Sequence, residues 1–177
     1  DFRKGSGSVE EYPVIDDYIK YVQDKFGDLS GIKVVVDAGN GTGGLVAPQI
    51  MKALGAEVFE LFCEPDGRFP NHHPDPTVEK YLTSLIAKVK EVNAHVGIGY
   101  DGDADRIGAI DEDGHIIWGD KLMIIFSRDI LKENPGAKII GEVKCSQTLY
   151  DDIAAHGGVP IMWKTGHSLI KEKLKNE

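Results

Sequence analysis

The spacing of apolar residues changes several times along this chain, and each change marks an element. Val14, Ile15, Tyr18, Ile19, Val22 and Phe26 recur every three or four residues and predict a helix within 10–26. The polar, Gly/Ser-rich residues 1–9 before it predict a loose leader. "GIKVVVDAGNG" (31–41) is a continuous apolar run entering a glycine loop, the pattern of a buried strand. "GGLVAPQIMKALG" (43–55) predicts a helix closed by Gly55. "AEVFELF" (56–62) is a second strand, followed by a proline-rich loop, "CEPDGRFPNHHPDPT" (63–77). Residues 78–93 then place Tyr81, Leu82, Leu85, Ile86, Val89 and Val92 on one helical stripe. "AHVGIGY" (94–100) is a third strand, and "RIGAIDEDGHIIW" (106–118) reads as a hairpin turning at Asp113-Gly114.

After Trp118 the pattern restarts. A helix at 120–132, a strand at 137–143, a helix at 146–156, a strand at 159–163 and a helix from His167 follow in order. Strands alternating with helices predict an α/β fold with mixed, largely parallel sheets flanked by helices. Two consecutive units are expected, 1–118 and 119–177. The second has only two clear strands and reads as truncated, so the chain is expected to be a piece of a longer protein. In such folds ligands sit at the carboxyl ends of strands.

Composition narrows the function. The formal charge of -9 argues against nonspecific nucleic-acid or anionic-membrane partners. Cys63 and Cys145 form no CxxC, so neither a zinc site nor a disulfide framework is expected, and two free thiols suit the cytoplasm. No apolar run approaches the length of a membrane span.

The densest chemistry is "GYDGDADRIG" (99–108). In an extended segment Asp101, Asp103 and Asp105 point the same way. Like charges so close raise one another's pKa and oppose folding. A hard divalent cation such as Mg²⁺ removes that cost. A solvated acidic turn is the plainer alternative, but apolar strands flank the loop on both sides. An EF-hand is excluded because Arg106 stands where that loop needs glycine. Arg106 offers a planar fork for phosphate beside a cation, or a simple ion pair to a neighbouring aspartate.

"GNGTGG" (Gly39, Gly41, Gly44) fits the outline of a dinucleotide loop, with Glu60 and Glu64 near the end of the next strand. Close helix–strand packing explains the same glycines. His72 and His73 have no partner at metal-ligand spacing. Their loop, stiffened by Pro70, Pro74 and Pro76, is expected to shape an interdomain wall and carries no catalytic role.

"VVVDAGNGTGG", "PDGRFPNHHPDPT", "GIGYDGDADRIGAID", "GEVKCSQ" and "MWKTGHSLIK" together resemble the α-D-phosphohexomutase family, within it the bacterial phosphomannomutase/phosphoglucomutase branch. The likeness runs from about residue 31 to the end and covers the second domain and the first half of the third. It implies that Asp101, Asp103 and Asp105 ligate Mg²⁺ and that Arg106 faces the active site. Lys144 and His167 match residues that line the substrate cleft, and with Arg106 they are the implied catalytic and substrate-binding groups. Without the resemblance, Lys144 reads as a solvated loop lysine and His167 as a capping or surface histidine. The implied reaction moves a phosphoryl group between O1 and O6 of a mannose or glucose phosphate, through a phosphoserine and a hexose 1,6-bisphosphate. The phosphoserine segment (T-A-S-H-N-P) and the sugar-selecting loop (G-E-x-S-G-H) of the family are not in this sequence. The chain alone is therefore expected to be inactive, its partners being hexose phosphate and the missing domains of its own chain. A noncatalytic Mg²⁺-binding module and a dinucleotide enzyme are the alternatives.

Overall fold

The computed structural model describes residues 4–177. The expectation for residues 1–3 lies outside that range, and residues 4–13 are exposed without helix or strand. Helix α1 (Val14–Lys25) leads into strand β1 (Lys33–Asp37), helix α2 (Ala47–Ala53) and strand β2 (Glu57–Leu61). Helix α3 (Thr83–Val92), strand β3 (Val96–Tyr100) and an antiparallel pair, β4 (Ile107–Asp111) and β5 (Ile116–Ile117), complete the first unit.

The sheet order is β2-β1-β3-β4-β5. β1 pairs in parallel with both β2 and β3, and β3 with β4 and β4 with β5 are antiparallel. The chain therefore leaves β1 in one direction and returns on its other side. That reversal opens a crevice between the carboxyl ends of β1 and β3, the usual ligand position in open α/β sheets.

Alternation along β1 builds both cores. Val35 faces α3 and packs with Leu85, Val89 and Ile110. Val34 and Val36 face the other way, onto Ala47, Met51 and Val58. α1 lies over α2, with Gln23 Nε2 donating to the Ala53 carbonyl at 2.7 Å. Because α2 already covers that sheet face, α1 buries only Val22, and Val14, Tyr18 and Phe26 stay exposed.

Two predicted helices are shorter than their patterns. Residues 43–55 resolve into a 3-10 turn (Thr42–Leu45) and α2, because Pro48 lies in the first turn of α2 and cannot continue a helix from behind. Residues 78–93 begin as a 3-10 turn (Glu79–Tyr81), which the Thr83 hydroxyl closes by donating to the Lys80 carbonyl at 2.9 Å. The hairpin turns where expected. Gly114 is left-handed (φ 84°), and its N–H donates to the Asp111 carbonyl at 3.0 Å.

The second unit holds helix α4 (Gly119–Glu133), strand β6 (Lys138–Glu142), helix α5 (Gln147–Ala155), strand β7 (Val159–Trp163) and helix α6 (His167–Asn176). β6 and β7 pair in parallel as a separate two-stranded sheet. Ile124 and Leu131 of α4 meet Leu149 and Ile153 of α5 in its core, and Arg128 donates from Nε and Nη2 to the two carboxylate oxygens of Asp152 across the two helices. The mixed α/β class with a mostly parallel sheet is as the sequence predicts.

Leu85 is fully buried between α3 and the sheet. Leu85→Ala should cost about 2–5 kcal/mol, read as a lower urea midpoint with an unchanged m-value.

Candidate metal loop and its surroundings

The aspartate loop begins where β3 ends. A buried Asp101 follows Tyr100, and its Oδ1 accepts the Arg106 backbone N–H at 3.1 Å. The Asp101 carbonyl accepts from the Ala104 N–H at 3.2 Å, and Ala104 is left-handed (φ 60°). This turn folds the loop back so that carboxylate oxygens of Asp101, Asp103 and Asp105 all lie within 4.8 Å of one another. The strand-like alternation read from the sequence is replaced by a tight turn, yet the three side chains still converge. Neighbouring ligand oxygens of an octahedral Mg²⁺ sit roughly 3 Å apart, so an ion there would draw these side chains inward.

The cluster is strained electrostatically. A hydrogen bond shared with Asp101, then the charges of Asp103 and Asp101, push the Asp105 carboxyl above its ordinary range. Arg106 offsets part of this. Its Nε lies 3.7 Å from both Asp101 Oδ2 and Asp105 Oδ1, too far for a hydrogen bond. The guanidinium stays largely exposed, and among the described residues its terminal nitrogens have no bonded partner. Arg106 is thus an ion-pair neighbour with its planar fork turned outward.

The glycine loop after β1 lies against the aspartate loop. Thr42 N–H donates to the Gly102 carbonyl at 3.0 Å, and the Thr42 hydroxyl reaches the same oxygen at 3.3 Å. A Cβ on Gly41 would meet that oxygen at 2.7 Å, one on Gly39 would meet Pro74 at 2.9 Å, and one on Gly44 would strike the Cys63 backbone. The space beside these glycines is filled by protein, which accounts for "GNGTGG" by packing.

Lys144 and His167 occupy the corresponding ends of the second sheet. Lys144 lies two residues beyond β6, exposed, with Nζ 3.3 Å from Glu142 Oε1. His167 opens α6, four residues beyond β7, and is exposed. Among the described residues no hydrogen bond or ion pair joins either one to the aspartate loop. The Lys144 loop is fixed from behind: Asp120 Oδ2 in the first turn of α4 accepts the Ser146 N–H at 2.9 Å, and Ser146 caps α5.

Three groups near the crevice were not singled out from the sequence. Asp37, nearly fully buried at the end of β1, contacts His72. Asn40 Nδ2 donates to the Glu64 carbonyl, and its Oδ1 accepts from Asn71. Asp75 accepts from both the hydroxyl and N–H of Thr77, which with the Arg106 charge lowers its pKa. The available signal was an acid placed directly after three valines, "VVVD", because such an acid cannot reach water from a buried strand end.

An acidic loop at the switch point of a mixed sheet, next to a second α/β unit, defines an α/β protein whose candidate site lies at the strand ends. Comparison with known proteins identifies which. Residues 16–114 match the family model of phosphoglucomutase/phosphomannomutase, alpha/beta/alpha domain II, and residues 118–177 match that of domain III. The chain belongs to the phosphoglucomutase/phosphomannomutase family. A phosphomannomutase/phosphoglucomutase of Pseudomonas aeruginosa is 50% identical over 175 residues, which are 99% of this chain and 38% of that protein. A phosphoglucomutase of Neisseria meningitidis is 46% identical over 169 residues, 96% of this chain and 37% of that protein. The crystal structure of a phosphoglucomutase/phosphomannomutase family protein from Burkholderia thailandensis superposes with a TM-score of 0.91 at 47% identity, over 99% of this chain and 38% of that one. The chain thus spans just over a third of the length of these relatives. None of its described helices is long and apolar enough to cross a membrane.

The Asp75 shift has a sign that experiment can read. Its folded pKa is below the unfolded value, so it stabilises the fold above the ordinary carboxylate range, and that contribution fades as pH falls through the folded value. Asp75→Asn keeps an acceptor for Thr77 but does not titrate. Urea unfolding from neutral pH down to roughly pH 3 should show a shallower acid loss in Asp75→Asn than in the parent chain.

Proposed function

We propose that this chain is the middle of a phosphohexomutase that interconverts hexose 1-phosphate and hexose 6-phosphate, with mannose or glucose as the sugar. The observation that carries this reading is the convergence of Asp101, Asp103 and Asp105 at the end of β3, in a chain of this family, with Arg106 turned outward beside them. The three carboxylates suit Mg²⁺: the oxygens are hard, close and short of counter-charge. When bound there, Mg²⁺ would offset the negative charge of a phosphoryl group in transfer.

The chain's own residues have definable tasks. Asp101 is held by the Arg106 N–H, which fixes the loop before any ion arrives. Arg106 presents a planar fork to phosphate oxygens. Lys144, at a strand end on an anchored loop, balances a substrate phosphate or steadies a leaving oxygen. His167 holds a sugar hydroxyl and moves its proton. The nucleophile is a phosphoserine elsewhere in the longer protein, and hexose 1,6-bisphosphate is the intermediate. The partners are hexose phosphate and the other domains of the same chain. Neither nucleic acid nor membrane is a partner of so acidic a protein, and the unbridged Cys63 and Cys145 fit the cytoplasm. No observation favours a noncatalytic module, and the packed glycine loop speaks against a dinucleotide enzyme.

Asp103→Asn tests the loop. It should weaken Mg²⁺ or Mn²⁺ binding by at least about tenfold and lower kcat/KM of the whole protein by roughly a hundredfold or more. Equal metal affinity in both proteins would refute the assignment. The isolated chain should not interconvert hexose 1- and 6-phosphates, checked by a coupled assay. In the whole protein, Lys144→Ala and His167→Ala should each lower kcat/KM by about tenfold or more while leaving metal affinity unchanged.

A further inference from the structure

The pair formed by the buried Asp37 and the half-buried His72 has no part in the chemistry above. His72 Nε2 lies 3.1 Å from each carboxylate oxygen of Asp37, and Nδ1 lies 3.0 Å from the His73 carbonyl. A carbonyl only accepts, so Nδ1 carries a hydrogen. Nε2 faces both oxygens of the carboxylate, so the two residues are joined through that nitrogen. Asp37 Oδ1 also accepts the Gly39 N–H at 2.8 Å. The imidazole is held between rings, edge-on to Phe62 and stacked on Tyr81.

Each contact leads toward the aspartate loop. His72 and Pro74 press on Gly39, and Phe69 and Pro74 lie over Gly102. Gly41 packs on Gly102, and Thr42 donates its N–H to the Gly102 carbonyl. Gly102 separates Asp101 from Asp103. We propose that Asp37 and His72 are positioning residues: their bond clamps the proline-rich loop onto the glycine loop, and the two loops together set the place of Gly102 and so the spacing of the metal carboxylates. The effect on metal rests on the cation-site reading above, whereas the clamping itself does not.

Hydrogen exchange of the metal-free whole protein, read by mass spectrometry, separates the two. His72→Ala should speed exchange about tenfold in peptides spanning 38–46 and 99–107, with α3 (Thr83–Val92) unchanged. His72→Gln keeps a donor to Asp37 but loses the bond to His73, and should give about a threefold rise in the same peptides. Mn²⁺ affinity should fall in the same order, by about tenfold in His72→Ala. If His72→Ala does not fold, His72→Gln decides. Unchanged exchange in 38–46 overturns the proposal, as does a uniform rise that includes α3, the mark of a general loss of stability. A parent protein that binds no Mn²⁺ overturns the cation-site reading, and the exchange data then still decide whether the pair holds the loop.

Discussion

The parallel pairing of β1 with β3 is the constraint on which the site depends. Its register sets Asp37 opposite Gly99, so both strands end at the same level and release their loops into the same crevice. Parallel strands cannot be joined by a short turn, so the chain between them must travel through α2, β2, the proline-rich loop and α3. That detour covers both faces of the sheet and returns the proline-rich loop over the glycine loop. The glycines follow from this crowding: at Gly41 the backbone of Gly102 occupies the space of a side chain.

The acidic cluster is a local conflict that the fold maintains. Three carboxylates within 4.8 Å repel, and Asp105 shows it in a raised pKa. Arg106 relieves the repulsion only partly, at 3.7 Å and largely in water, where such pairs contribute little. What holds the loop shut is backbone bonding to Asp101 and the packing of Gly102 between two loops. The rigid surroundings thus keep three like charges together, at a cost the two cores offset.

The second unit repeats the strategy with opposite charge. Lys144 and His167 follow the carboxyl ends of paired parallel strands, as the aspartates follow β3. A carboxylate inside the fold, Asp120, ties down the Lys144 loop through a backbone N–H. In both units an exposed basic residue, Arg106 or Lys144, stands on backbone fixed by a less exposed acid.

The sequence by itself determined the elements and the aspartate loop. Helical and alternating periods are local, so the order of strands and helices and the hairpin at Gly114 were legible from neighbours in the chain; the convergence of Asp101, Asp103 and Asp105 was also expected, but a turn at Ala104 brings it about instead of extended alternation. Helix starts at Ala47 and Thr83 were less so, because a 3-10 turn keeps almost the same apolar spacing. Tertiary structure alone decided what touches across long separations. Nothing near His72 indicates a partner 35 residues away at the end of β1, and nothing in "GNGTGG" distinguishes glycines that admit a ligand from glycines that admit a neighbouring loop. Those contacts arise from strand order, which is set by how whole faces are buried and not by the residues that finally meet.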